Sequence, residues 1–263
     1  MPIARAGEVE LYYEQRGSRF PPLLLVAGIP AIANDWSLLA ERLAESRRVV
    51  TYDNRGSGQS SVTPGPYSTK QLAADAVRLL EVLGIGRADV FGMSLGGMIA
   101  QEIALGWPDR VRRLVLGCTH AGVRHAAPAP RETGRAFTMQ TDDWGERMRA
   151  LAPLAFAREV DDGMLERFTE KKSKEAQDQE GYAAQIEAVL SHDAYDRLAE
   201  IEAPTLILTG DDDRIIPAPS SDVLHLRIPR SRLEVIEGTG HLFFLEKPDE
   251  TIELIQGFLD GPV

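Results

Sequence analysis

The stretch DVFGMSLGGMIAQEIA, residues 89–104, decides how the rest of the chain is read. Residues 89–91 are strand-like, and residues 95–105 form a largely apolar, helix-like run that Gly106 and Pro108 stop. Between them Ser94 stands in Gly92-Met93-Ser94-Leu95-Gly96, a Gly-x-Ser-x-Gly pattern. A strand feeding this motif and a helix leaving it form the context in which the serine is thrust out at a strained turn as a nucleophile. The flanking glycines suit that reading, since side chains at Gly92 or Gly96 would collide with neighbouring backbone. The helix N-terminus also aims its free N–H groups at whatever the serine binds. The competing reading is a serine that only caps a helix.

The flanking sequence extends the strand-and-helix rhythm. Strand-like runs occupy residues 9–13, 22–26, 48–52 and 111–116, then 205–208 and 233–236. Trp36, Leu39 and Leu43 fall at helical spacing. Ser68 and Gln71 read as a capping box opening a helix with the stripe Leu72, Ala76, Leu79, Leu80 and Leu83, which Gly84 ends. Residues 131–198 are helical in pattern without a convincing strand, and a last helix is predicted over 248–259. Alternating strands and helices predict an α/β fold: a mostly parallel, twisted sheet with helices on both faces. Residues 1–119 and 199–263 are expected to form its core, and residues 120–198 a helical cap insertion.

Composition narrows the function. The chain has 263 residues and a formal charge of −11, which speaks against nucleic acid and against an anionic membrane surface. The single cysteine, Cys118, cannot form an internal disulfide, so a reducing, cytoplasmic setting is expected, with Cys118 a small buried hydrophobe. No secretory signal or membrane-spanning run is read. No His, Cys, Asp and Glu group has metal-ligand spacing, so neither metal nor cofactor is expected. RGSGQS, residues 55–60, lacks phosphate-loop spacing and reads as a structural turn.

A serine nucleophile needs a base, and the base an orienting group. His120 and His125 fall in the loop that enters the helical insertion, His192 near its exit and His225 inside an amphipathic helix, whereas His241 follows the strand-like run 233–236 through the flexible loop Gly238-Thr239-Gly240. Sites in open α/β sheets form beyond the strands' carboxyl ends. The strand at 205–208 is followed by Asp211, Asp212 and Asp213, among which periodicity does not choose.

Together with Gly28-Ile29-Pro30 and YDNRGSGQS (residues 52–60), these segments resemble the α/β-hydrolase family over nearly the whole chain. The likeness is strongest to the branch of 3-oxoadipate enol-lactonases, small-molecule esterases and cofactor-free bromoperoxidase-like perhydrolases. The resemblance implies the α/β-hydrolase fold and a triad of Ser94, Asp213 and His241, the acid falling on Asp213 in the Gly-x-x-Asp-x-x-x-Pro pattern of residues 210–217. It implies oxyanion donors at the Leu95 and Ile29 amides. Many relatives carry His-Gly where this chain has Ala27-Gly28, which bears on the rigidity of that loop. The implied activity is hydrolysis of a small-molecule carboxylic ester or lactone by water through an acyl-enzyme. Its rivals are carbon–carbon bond hydrolysis or perhydrolysis with the same triad, and ligand binding on a hydrolase fold. Trp36, Phe137, Met139, Trp144, Met148 and Phe156 are candidates to line an apolar pocket under the cap. The charge-rich run 166–180 reads as a solvated helix face.

Overall fold

Leu23–Val26 is buried at every position, as a strand covered on both faces must be. The computed structural model describes residues 2–175 and 177–261. Its strands are β1 (Ile3–Ala6), β2 (Val9–Arg16), β3 (Leu23–Val26), β4 (Val49–Tyr52), β5 (Ala88–Met93), β6 (Val111–Gly117), β7 (Thr205–Gly210) and β8 (Ser231–Ile236). They form one sheet in the order β1-β2-β4-β3-β5-β6-β7-β8. The pairs β1/β2 and β2/β4 are antiparallel and the rest parallel.

Helices cover both faces. Those of the core are α1 (Ser37–Ala44), α2 (Thr69–Val82), α3 (Leu95–Gly106), α8 (Pro219–Arg227), the single turn α9 (Phe243–Glu246) and α10 (Pro248–Asp260). One apolar cluster joins Leu24, Val26 and Val90 to α2 and α3 through Leu72, Leu79, Met98 and Ile103. The other joins Leu23, Leu25 and Phe91 to α1 and α10 through Leu39, Leu43, Ile252 and Ile255. Alternate residues of one strand thus feed opposite clusters, which is the period-two geometry of a strand. The sheet runs outward in both directions from the β3/β5 boundary, and the crevice at such a switch point is where open α/β sheets hold ligands.

Between β6 and β7 the chain leaves the sheet for α4 (Arg131–Phe137), α5 (Trp144–Ala155), α6 (Asp162–Lys174) and α7 (Gln179–Ser191). Its ends are tied together at the root, where Gly122 bridges Asp193 and the Ala194 amide donates to Ala121 O at 2.8 Å. The segment is also docked on the core. The α7 side chain Gln185 donates to Arg55 O at 2.8 Å and to Ser57 Oγ at 3.1 Å.

Two buried histidines, His120 and His192, flank the root with ring centroids 6.3 Å apart. Burial first, then His192 for His120 and Arg197 for His192, pushes each pKa down to about 4. Glu102, paired with Arg197, and Asp193 are the acids nearby. An imidazole held at about 4 when folded, against about 6.5 when unfolded, lets the unfolded chain bind more protons between those values. Stability is therefore full above pH 6.5 and falls toward pH 4, by up to about 3 kcal/mol per histidine. The urea midpoint of wild type is expected to drop between pH 7 and pH 4.5, and to drop less in His192→Gln. An equal drop in both would count against the assignment.

Candidate active site

Ser94 sits between β5 and α3 with φ 56° and ψ −123°, a left-handed backbone that a non-glycine residue adopts only when its surroundings enforce it. The enforcement is close packing of backbone. A Cβ on Gly96 would lie 2.0 Å from Val26 O, and one on Gly92 would lie 2.0 Å from Gly96 O. Although Ser94 stands at the N-cap of α3, its side chain makes no capping hydrogen bond. Its Oγ is left facing a cavity, which removes the capping explanation for its presence.

His241 follows β8 and shares that cavity wall with Ser94. Its Nδ1 donates to Asp213 Oδ2 at 2.8 Å. Asp213 Oδ1 accepts the Ile215 and Ile216 amides at 2.8 and 2.9 Å, so both carboxylate oxygens are used and the plane of the group is fixed. With the proton on Nδ1, Nε2 of His241 is the free, basic nitrogen. Asp213 and His241 are both buried. The neighbouring aspartates are committed elsewhere: Asp212 Oδ2 accepts the Arg158 amide at 2.7 Å, and Asp211 the Thr239 amide at 3.3 Å.

Glu246, which no sequence signal singled out, braces the histidine loop. Its carboxylate accepts the Gly240 amide at 2.7 Å and the Ala157 amide at 3.0 Å. Burial raises its pKa against those two donors.

The loop after β3 packs against the serine, since a Cβ on Gly28 would lie 2.8 Å from Ser94 Cβ. Among the described residues, neither the Ile29 nor the Leu95 amide has a hydrogen-bond partner outside regular elements, and Leu95 opens α3, where an amide has no intrahelical acceptor. Rigidity without the loop histidine comes from the next loop. Asn54 Nδ2 donates to Ala27 O at 2.9 Å, and Asp53 Oδ1 accepts the Ala33 amide at 2.7 Å while its Oδ2 accepts that of Gln59 at 2.8 Å. RGSGQS is thus part of a brace under the site, with Asp53 at its centre.

Two apolar cavities meet at Ser94. The first, of about 230 Å³, carries His241, Trp36, Phe137, Met148 and Phe168 on its wall. Trp36 is held there by Phe244, stacked at 5.1 Å, and Phe91, edge-on at 5.2 Å. The second, of about 420 Å³, shares Ser94, Ile29, Phe137 and Ile215 with the first. Met139 lies elsewhere, in a separate hollow with Arg147 and Gln179. Trp144 turns into the core of the helical segment, edge-on to Tyr182 at 5.6 Å, with Nε1 donating to Lys172 O at 2.9 Å. Phe156 is fully buried against Phe168. Of the six candidate pocket residues, therefore, Trp36, Phe137 and Met148 reach the cavities that contain Ser94.

The run 166–180 is not wholly a solvated face. Lys172 is 2% exposed, its Nζ 2.8 Å from Asp35 Oδ2 and also bonded to Glu175. Burial alone would lower its pKa, but Asp35 and Glu175 overcome that and hold it above the usual lysine value. Lys171, Lys172 and Asp35 are part of the lining of the first cavity.

The structure also brings Cys118 near the His241–Asp213 pair, with one ligating atom of each within 4.8 Å of the others, a grouping invisible in the sequence spacing. These donors do not suit a metal. Both Asp213 oxygens are engaged by N–H groups, and burial, then the nearby Asp213 charge, raises the Cys118 thiol well above its usual value, whereas a metal ligand is a thiolate.

Comparison with known proteins places the geometry in context. The model of the alpha/beta hydrolase family matches residues 23–254. The chain is 32% identical to "Putative carbamate hydrolase RutD" of Azorhizobium caulinodans, covering 98% of each chain. It is 31% identical to a poly(3-hydroxyalkanoate) depolymerase of Ectopseudomonas oleovorans, over 90% of this chain and 84% of the other. Among solved structures, the enol-lactonase from Burkholderia xenovorans LB400 superposes with a TM-score of 0.88 at 26% identity, covering 99% of this chain and 100% of that one.

Proposed function

The chain belongs to the alpha/beta hydrolase family, and from that premise we propose that it is a serine hydrolase of small-molecule carboxylic esters. The observation that carries the reading is the strained, uncapped Ser94, which shares an apolar cavity with a histidine already fixed on a buried carboxylate. In this reading His241 Nε2 takes the Ser94 proton as Oγ attacks the carbonyl carbon. The Ile29 and Leu95 amides receive the developing oxyanion. Asp213 keeps the imidazole oriented and stabilises its charged form. His241 then gives the proton to the departing alkoxide, and a water activated by the same nitrogen releases the acid. The helical segment, residues 120–198, acts as a cap that roofs the reacting bond with Phe137 and Met148 and keeps bulk water away.

An ester carrying apolar groups suits the site. The walls around Ser94 are overwhelmingly aliphatic and aromatic, and such walls gain from apolar groups on the substrate. The enol-lactonase likeness points the same way, because a lactone is a cyclic ester.

The test is intact mass after treatment with a fluorophosphonate. One adduct on wild type and none on Ser94→Ala are expected. Well-folded wild type that stays unlabelled, together with no turnover of any ester, would sink the proposal.

A further inference from the structure

The two cavities that meet at Ser94 need not play the same part. We propose that the larger one holds the acyl chain, and that His120 on its wall donates a hydrogen bond from Nε2–H to a neutral oxygen carried by that chain. The protein then selects esters of hydroxy- or oxo-substituted acids over plain alkanoates. This inference rests on the serine hydrolase reading and deepens it.

The assignment of the two arms follows from where His241 stands. The nitrogen that takes the serine proton must return it to the leaving oxygen, so the alcohol portion lies on the histidine side of the tetrahedral carbon. His241 lines the smaller arm and not the larger. The alcohol therefore enters the smaller arm, and the acyl chain extends into the larger, between Met98, Val123, Ile186, Val189 and Ile216.

Apart from Ser94 itself, this acyl arm is lined by few polar side chains, and all but one of them are engaged. Thr133 Oγ1 donates to Arg214 O at 2.7 Å, and Thr138 Oγ1 to Gly134 O at 2.9 Å. His120, 6% exposed, is the remaining polar side chain beside Ser94. Its Nδ1 accepts the Gly122 amide at 3.1 Å, which places the proton of the neutral ring on Nε2. Its low pKa keeps the ring neutral at pH 7. Among the described residues Nε2 has no hydrogen-bond partner, yet it is not sealed in the interior as His192 Nε2 is. The space that His120 lines is the acyl arm.

An N–H that opens on an apolar space is poorly hydrated until an acceptor arrives. A chain bearing an oxygen there gains relative to one that leaves the donor empty. A carboxylate is the wrong acceptor, because no lysine or arginine lines this arm and a buried anion needs a counter-charge. A hydroxyl or ketone oxygen meets both conditions.

The test compares kcat/KM for 4-methylumbelliferyl esters of hexanoic, 3-hydroxyhexanoic and 5-oxohexanoic acids, in wild type, His120→Leu and His120→Gln. Wild type is expected to favour at least one oxygenated ester over hexanoate by about five- to tenfold, the worth of one hydrogen bond. His120→Leu is expected to bring that ratio close to one, and His120→Gln, which keeps a donor, to retain part of it. Because the readout is a ratio, any change common to all the esters cancels. A wild type without preference, or a preference unchanged in His120→Leu, overturns the proposal. Fluorophosphonate labelling of Ser94 accompanies each measurement. Labelled enzyme with the wrong ratios defeats the His120 assignment alone, and unlabelled, inactive wild type defeats the hydrolase reading with it. If His120→Leu does not fold, His120→Met removes the donor at similar volume and carries the same test.

Discussion

Ser94→Gly is expected to lose turnover by about five to six orders of magnitude, the scale on which serine nucleophiles act together with their base, while gaining thermal stability. The two effects share one origin. Ser94 is held at φ 56° and ψ −123°, where an L-residue carries a strain of about 1–3 kcal/mol. Glycine adopts that backbone without strain, and it gives back about 0.5–1 kcal/mol through the freedom it adds to the unfolded chain. A net gain of about 1 kcal/mol would raise Tm by about 2–4 °C in a domain of this size. Ser94→Ala separates the two terms. It removes the nucleophile but keeps a Cβ in the strained turn, so turnover falls as far while Tm stays near wild type. Calorimetry and steady-state rates on the two variants check both halves. If Ser94→Gly melts no higher than Ser94→Ala, the turn stores no strain at the serine.

The elbow was legible in the sequence because its physics is local. A strand, a serine between glycines and an apolar helix lie within sixteen residues, and the backbone contacts that require Gly92 and Gly96 are made by the loop itself and its nearest strand. The central strands were legible for a related reason: a run such as Leu23–Val26 is buried on both faces and carries no polar residue to confuse its period. The acid was less legible. Asp211, Asp212 and Asp213 are identical to any periodic reading, and the structure separates them by partners made across the fold, Thr239, Arg158 and His241 respectively. The helical segment was hardest. Trp144 and Met148 share one face of α5 at a spacing of one turn, yet only Met148 reaches the cavity, because Trp144 is drawn to Tyr182 and Lys172 O. Lys172 sits in a charged run and still points inward, since its partner Asp35 is supplied by a short helical turn, residues 33–36, well over a hundred residues away. His120 lies in what reads as a loop, and its tautomer is set by a single amide two residues on. Tertiary partners of this kind leave no period to detect.

Asp213→Asn tests the electrostatic half of the site and is expected to lower kcat by about 10⁴-fold with little change in KM. The geometry says why so small an edit should cost so much. Asp213 Oδ1 accepts two backbone amides, from Ile215 and Ile216, and an asparagine can satisfy those donors only with its carbonyl oxygen. Its NH2 group must then face His241 Nδ1, where a carboxylate oxygen now stands at 2.8 Å. An N–H directed at Nδ1 makes that nitrogen the acceptor and moves the imidazole proton to Nε2. The nitrogen facing the cavity becomes a donor, and Ser94 loses its base, although no atom has moved far. The fold should tolerate the change, because every hydrogen bond around the side chain can still be made. The rate of fluorophosphonate labelling should fall in parallel with kcat, since both need the serine activated. Asp212→Asn supplies the contrast. Asp212 bonds Arg158 rather than the histidine, and its substitution is expected to leave kcat within about threefold of wild type, as for substitutions away from a critical network. If the two variants behaved alike, the acid would have been assigned to the wrong member of the aspartate run, and the orientation of His241 would have to come from a group other than the one now bonded to it.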